Sequence, residues 1–324
     1  MSEIFQPESL HTQNNISYSQ LMILAERYKE QFPETVHILD IAWVSPFGSR
    51  SIENPYTREI DSEDFSNIGR HCMAVANTAE RISNHLLVQG AITQEQMTNI
   101  IKSAILHDGD KRLEVMRKNA SKSGIKGTDG NPIDVYGEAW YATIGTVFSD
   151  VWIDPNILVT IKNMGGMTAH NSVRKFLTMQ DGEIVLNPER TLAEMIVHIA
   201  DDMTHSPNPD IDNPTIVTNF EERANLGRFP ERYKFLWQEW LGISSNGIIR
   251  DVRDIANSHW NSQDEKFISY YEWMEIAFQL ICSYLQRKID PTSHMDSVKF
   301  VVWLVNRKTS DIQDGVSQKV GNTL

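Results

Sequence analysis

Apolar residues recur at three- and four-residue intervals through most of this chain, and this periodicity constrains its fold more than any other feature. Such spacing places the apolar side chains on one face of an α-helix. Period-two alternation, which marks half-buried strands, is nowhere sustained. The clearest apolar stripe comprises Ile68, Cys72, Val75, Ala79, Ile82 and Leu86. The pattern therefore predicts an all-α, or mainly α, protein.

Local signals predict where individual elements lie. Thr93 and Gln96 form a capping-box pattern ahead of an apolar helix face that runs to His107. Residues 36–44 are apolar and rich in β-branched side chains, so we expect a short strand or a buried extended segment there. Residues 180–187 predict a small turn, and a further helix is expected after it.

The composition bounds the class of protein. The chain has 324 residues, of which 40% are hydrophobic and 23% charged, so it is long and apolar enough to bury a sizeable core. Its formal net charge is −13, and an acidic surface repels phosphate backbones at long range. We therefore expect no nucleic acid polymer as a partner. A small anionic substrate stays compatible, because a local basic pocket can oppose the overall field.

Compartment signals are sparse. Cys72 and Cys282 are too few for a disulfide framework or a zinc ribbon. The polar N-terminal residues contain no apolar core of a secretory signal, and no window reaches 18 consecutive apolar residues. We expect a cytoplasmic protein with no membrane partner.

Two histidines and two aspartates stand in otherwise apolar helix segments. His71 lies on the apolar side of one predicted helix, His107 and Asp108 end the next, and Asp201 lies in the segment IVHIADDMTH. A carboxylate buried without a partner is costly, so an aspartate in a helical core needs a cation. These side chains predict a metal site supplied by three helices.

The ligand types narrow the choice of metal. Imidazole and carboxylate together suit Mn, Fe, Co, Ni or Zn as a divalent ion. Such an ion lowers the pKa of a bound water and yields a nucleophile near neutral pH. His107 and Asp108 are adjacent, so both reach one ion only where the helix ends or bends, and Gly109 permits this.

The order His71, His107-Asp108, Asp201 resembles the H…HD…D signature of the HD superfamily of metal-dependent phosphohydrolases. The segments RHCMAVANTA, AILHDGDK and VHIADDMT resemble the family's three ligand-bearing regions, and the resemblance spans roughly 65–205. It implies an HD-type helical bundle with the metal at its centre. On this basis we expect an N-terminal extension over 1–60, a metal-binding core over 61–206 and a C-terminal helical extension over 207–324 packed on the core.

The run after the HD pair departs from the family pattern. Many members have HDxGK, whereas this chain has HDGDK, so Lys111 matches the lysine and Asp110 replaces a glycine. The resemblance implies that Lys111 contacts a substrate phosphate or carboxylate. Because Asp110 stands where glycine is usual, the conformation of the turn after His107 and Asp108 is not predicted. Asp110 can also supply a further carboxylate. The alternative is that both are solvated charges at a helix end.

Other residues are candidates for substrate binding. Arg70 and Arg112 flank predicted ligands, so either can clamp an anionic substrate together with Lys111. His170 follows a Gly-Gly break and is open between a substrate contact, a proton donor, a ligand of a second metal and an exposed loop histidine. No other histidine separates it from Asp108, which favours a single metal.

The helix that carries Asp201 has two interpretations. Glu194, His198, Asp201 and His205 share one face, which is typical of a solvated polar stripe. Because the opposite faces are apolar nearly all round, the alternative is that the helix is buried and Asp201 is a ligand. Asp202 takes that place if the register shifts by one, and we expect His198 behind the ligands or in the core.

The leading functional hypothesis is hydrolysis of a small phosphorylated substrate, such as a nucleotide, by a metal-activated water. Asp108 would bind the metal and share a proton with the water, while Lys111 with Arg70 or Arg112 would neutralise the phosphate. One alternative is a di-iron oxygenase of HD fold, which needs more histidines. Another is a non-catalytic nucleotide-binding module. The aromatic C-terminal helices leave a homodimer open.

Overall fold

The computed structural model describes residues 18–126, 130, 153–164, 176–181, 183–204 and 270–306, and most of these are helical. The helices are α1 (Tyr18–Gln31), α2 (Pro33–Ile41), α3 (Ser66–Val88), α4 (Gln94–Leu106), α5 (Lys111–Lys122), α6 (Pro155–Met164), α7 (Leu192–Met203), α8 (Tyr270–Ile289) and α9 (Ser297–Asn306). Two antiparallel strand pairs accompany them: β1 (Ile52–Glu53) with β2 (Ile60–Asp61), and β3 (Leu177–Gln180) with β4 (Glu183–Leu186). The mainly α class is confirmed.

Helix α3 lies at the centre of the described structure. It packs against α1, α4, α7 and α9, and α4 in turn packs against α2, α6 and α7. The apolar stripe predicted along α3 is buried, apart from Ile68, which is partly buried. A helix surrounded by others needs apolar residues on more than one face, which is why most of its side chains are buried.

The expectation of an extended segment over 36–44 is wrong, because α2 occupies most of it. Pro33 stands in the first turn, where its fixed φ suits a helix and its missing N–H costs nothing. Val36 and Leu39, three residues apart, are buried on the helix that packs against α4. Burial at helical spacing therefore outweighs the strand preference of the β-branched residues.

The capping box at the start of α4 is confirmed. The Thr93 side chain accepts a hydrogen bond from the backbone N–H of Gln96, whose side chain accepts one from the Thr93 N–H. The helix ends at Leu106, and α5 begins at Lys111. The turn over 107–110 therefore separates α4 from α5 and contains the His-Asp pair.

The segment over 180–187 contains more than a turn. β3 and β4 pair in the register Leu177↔Leu186, and Asp181 at the bend has a positive φ of 53°. Aspartate tolerates this left-handed conformation better than most residues. Four-residue strands are too short for alternation to identify them in the sequence.

The C-terminal helices lie on the same core. α8 packs against α9, α7 and β4, and α9 packs against α3. No helix within the described part of the chain combines the length and hydropathy needed to span a bilayer. The limits of the three expected regions stay predictions.

Candidate metal centre

Three helices that pack against one another carry the four predicted ligands. His71 lies in α3, His107 and Asp108 lie in the turn after α4, and Asp201 lies in the last turn of α7. The side chains of His71 and His107 are 4% and 2% exposed, whereas those of Asp108 and Asp201 are 19% and 30% exposed. The group is therefore closed on its imidazole side and open on its carboxylate side.

The ligand atoms of three of these four residues lie close enough together that they could hold one ion, and Asp201 contacts two of the three. One ligand atom each from His71, His107 and Asp108 lies within 4.8 Å of the others, so these residues could hold a metal ion. Asp201 Oδ1 is 3.0 Å from His71 Nε2 and 3.5 Å from His107 Nε2, and His107 Nε2 is 4.0 Å from Asp108 Oδ2. Ligands about 2.1 Å from one ion stand about 3.0–3.4 Å apart when neighbouring and about 4.2 Å when opposite.

The hydrogen bonding of His107 prepares it as a ligand. Its Nδ1 lies 2.8 Å from the carbonyl oxygen of Ala104. A carbonyl only accepts, so Nδ1 carries a proton, and in the neutral form of the ring the lone pair is on Nε2. That Nε2 is buried without a hydrogen-bond partner. This is the arrangement that orients metal-binding histidines in proteins.

The histidines and aspartates of the group shift one another's pKa values. Burial alone would raise the pKa of the Asp201 carboxyl, but its contacts with His107 and His71 outweigh burial and lower that pKa well below its usual range. Burial alone would lower the pKa of His107, but Cys72, Asp108 and Asp201 raise it well above its usual value. The carboxylates thus favour positive charge on the neighbouring His107 imidazole, and the histidines favour the ionised form of Asp201.

Lys111 stands beside this group. Its Nζ is 3.9 Å from Asp108 Oδ1 and 3.1 Å from Glu114 Oε2, and its side chain is 29% exposed. Glu114, which the sequence analysis missed, is buried in the first turn of α5. Its spacing of three residues from Lys111 on one helix was the signal that could have identified the pair.

In the structure Arg112 and Arg70 both contact backbone of the segment before α3. Arg112 is fully buried and donates to the carbonyl oxygens of Trp43, Arg50 and Asp61. Successive helical residues point about 100° apart, so Arg112 diverges from Lys111. Arg70 is buried, with Nη1 3.5 Å from the Pro46 carbonyl oxygen. Both guanidinium groups therefore hold the segment before α3.

Asp110 is not a solvated charge. It is 3% exposed, and its Oδ2 has no hydrogen-bond partner. Burial, reinforced by the nearby Asp108 carboxylate, raises the pKa of Asp110 to about 7. Asp110 is therefore a buried carboxyl group next to the predicted ligands.

Two residues of the polar face of α7, Glu194 and His198, are buried rather than solvated. His198 Nε2 lies 3.3 Å from Asp202 Oδ2, and the His198 ring stacks on Phe176 with 4.7 Å between centroids. Asp202 is thus engaged with His198, and Asp201 is the aspartate that meets the two histidines. His170 and His205 lie outside the described residues.

No second group of three metal-binding side chains comes this close together in the described ranges. Comparisons of the chain with protein-family models, with curated proteins and with solved structures find no match.

Proposed function

We propose that this centre holds one divalent transition metal and hydrolyses a small phosphoester, such as that of a nucleotide. The observation that carries the proposal is the grouping of His71, His107 and Asp108 beside a partly exposed lysine. Asp201 Oδ1 lies 3.0 Å from His71 Nε2 and 3.5 Å from His107 Nε2, so we propose it as the fourth ligand. The residue order that resembles the HD superfamily supports the same function. The HD-type arrangement of the helices is part of this proposal.

The donor set favours Mn, Fe, Co, Ni or Zn, because two imidazoles with two carboxylates suit ions between hard and soft. Such an ion would lower the pKa of a water and polarise a phosphoryl oxygen. His71 and His107 are closed to solvent, so they hold and orient rather than react. Asp108 and Asp201 face the open side, which is the side from which substrate and water approach.

Asp108 and Lys111 carry the remaining roles. The Asp108 carboxylate can accept a proton from a water on the open side. The Lys111 ammonium, held by Glu114, can meet a phosphate oxygen and offset its charge. With Arg70 and Arg112 engaged elsewhere, anion binding at the centre depends on Lys111 among the described residues.

Metal content is the test. Protein purified without added metal or chelator should contain about one transition metal ion per chain by elemental analysis. His107→Ala and Asp201→Ala should lose it, whereas His37→Ala, which removes an exposed histidine of α2, should keep it. Retained metal should accompany turnover of p-nitrophenyl phosphate or a nucleotide.

The opposite results are equally clear. If no metal binds, even after reconstitution with manganese, nickel or zinc, the proposed centre is wrong. Two irons per chain with oxygen uptake would point to the oxygenase. One metal without turnover of any phosphoester, together with tight nucleotide binding, would point to the binding module.

A further inference from the structure

A cavity of about 640 Å³ lies between the β3–β4 hairpin, the segment leading into α7, and α8. Its volume is in the range of pockets that take small molecules. Its lining contains none of the four residues of the metal centre. The cavity is therefore a separate feature, and the inference drawn from it does not rest on the proposed hydrolase activity.

The lining combines apolar side chains with two arginines. Leu186, Leu280 and the ring of Tyr284 supply apolar surface. Arg190 and Arg287 also line the cavity, against a single acidic side chain, that of Glu183, among its lining residues. The local excess of positive charge opposes the net charge of −13 carried by the whole chain.

Arg190 is the residue that points to a ligand. Its side chain is 16% exposed, and its Nε is buried without a hydrogen-bond partner. Its ion pair, from Nη1 to Glu194 Oε1, spans 3.6 Å, which is longer than a hydrogen bond. The other oxygen of Glu194 accepts from the Thr191 N–H in the capping box of α7. The guanidinium of Arg190 is thus largely buried with one donor unused, and its ion pair with Glu194 is longer than a hydrogen bond. A buried donor without an acceptor destabilises a protein.

We propose that this cavity binds a small organic anion with an apolar body. The anionic group, a carboxylate or a phosphate monoester, lies on Arg190, because the planar guanidinium fork matches two oxygens of either group. The apolar body packs against Leu186, Leu280 and Tyr284. Arg287 is exposed and donates to Ser283 Oγ at 2.8 Å, so it lies at the rim and attracts the anion.

Calorimetric titration of the full chain tests the proposal with octanoate and octyl phosphate as probes. Octanol, which lacks the charge, and inorganic phosphate, which lacks the apolar body, are the ligand controls. At least one anionic probe should bind more tightly than both controls, and comparing the two probes identifies the preferred group. Arg190→Gln should weaken binding of that probe by about tenfold or more.

Matched variants separate the site from general effects of charge. Lys299→Gln removes an exposed cation of α9 outside the cavity and should change the affinity less than about twofold. Leu280→Trp fills the apolar part without altering charge and should also weaken binding, which keeps the test decisive if Arg190→Gln fails to fold. His107→Ala should bind the probe normally, whatever happens to its metal.

Three results would overturn the proposal. They are an absence of binding of both anionic probes at millimolar concentration, an unchanged affinity in folded Arg190→Gln, and octanol binding as tight as that of the anions. The last would leave an apolar cavity with no role for its arginines.

Discussion

The buried guanidinium of Arg112 contacts backbone at three places in the segment before α3. It donates to the carbonyl oxygens of residues 43, 50 and 61 and lies 3.4 Å from Asp61 Oδ2. Arg112→Met should destabilise the protein by about 3 kcal/mol or more, because these acceptors lose their donor and Asp61 its partner. Urea unfolding measures this loss of unfolding free energy.

Arg58→Gln is the control for loss of a surface charge. Arg58 forms an exposed ion pair with Glu53, so its replacement should change the unfolding free energy by less than about 0.5 kcal/mol.

Asp64 gives stability a pH dependence. Burial alone would raise the pKa of its carboxyl, but hydrogen bonds from Ser66 and Ser49 outweigh burial and lower that pKa to about 2. A carboxyl with a lowered folded pKa stabilises above its unfolded pKa and stops doing so as pH falls towards the folded one. Asp64→Asn should therefore be less stable at pH 7, by less than about 1 kcal/mol because the group is exposed, and match the parent near pH 2.

Urea midpoints measured from pH 7 to pH 2 test this dependence. Glu63→Gln is the matched control, since Glu63 is an exposed carboxylate directly before Asp64 in the chain. If the difference in unfolding free energy between Asp64→Asn and the parent stays constant over this range, the hydrogen bonds do not favour the ionised carboxylate, and the prediction is wrong.

At the scale of elements, what the sequence predicted depended on whether the signal was local. The start of α4 followed from Thr93 and Gln96, because a capping box needs only neighbouring residues. The same pattern at Thr191 and Glu194 begins α7 and was available but missed. The helical state of α2 was not predictable from its β-branched residues, because it depends on packing against α4.

The capping box of α7 contributes to the free energy of unfolding, and a substitution can measure that contribution. Thr191→Ala removes the acceptor for the Glu194 N–H at the start of the helix that carries Asp201. The protein should lose about 1 kcal/mol of unfolding free energy. Thr191→Ser, which keeps a hydroxyl, should recover most of the loss in the same denaturant titration. Equal loss in both variants would show that the methyl group, rather than the cap, matters.

Gly69 tests how closely two elements approach. A Cβ at this position of α3 would come within 2.5 Å of Pro46 N and closer still to the carbonyl oxygen of Val44. Backbone cannot move aside as a side chain can, so Gly69→Ala should destabilise by about 2–3 kcal/mol, although alanine favours helices. Asn84→Ala on the same helix should be neutral or stabilising. A stabilised Gly69→Ala would mean that the segment over 44–46 is not held against α3.

At the scale of the whole molecule, the candidate site joins residues 130 positions apart, and the sequence could suggest this only through residue type. His71, His107 and Asp201 stood out because polar groups interrupted apolar faces. The sequence did not show which way the side chains of Arg70 and Arg112 point. A residue next to a ligand in the sequence lies on a different side of its helix. In the structure Arg70 and Arg112 contact the backbone before α3, whereas Asp201 lies against His71 and His107 and Asp202 lies against His198. The roles of these residues in binding metal or substrate stay predictions.

Because α3, α4 and α7 each contribute to the metal centre, an ion bound there should stabilise the whole core. A ligand that binds only the folded chain adds about 2.7 kcal/mol at one hundred times its dissociation constant. For a protein of this size that raises Tm by several degrees. Thermal unfolding with manganese or zinc added, and then with EDTA, measures the shift and its reversal.

The variants decide where the stabilising ion sits. His71→Ala should abolish the shift, because it removes the α3 ligand and leaves only the α4 and α7 sides. His37→Ala, outside the group, should keep the full shift. If metal still raises the Tm of His71→Ala, the ion binds without the α3 ligand and therefore at a different site. No rise in the parent protein would mean that the four side chains stabilise one another through the His71 and His107 contacts with Asp201, with no ion needed.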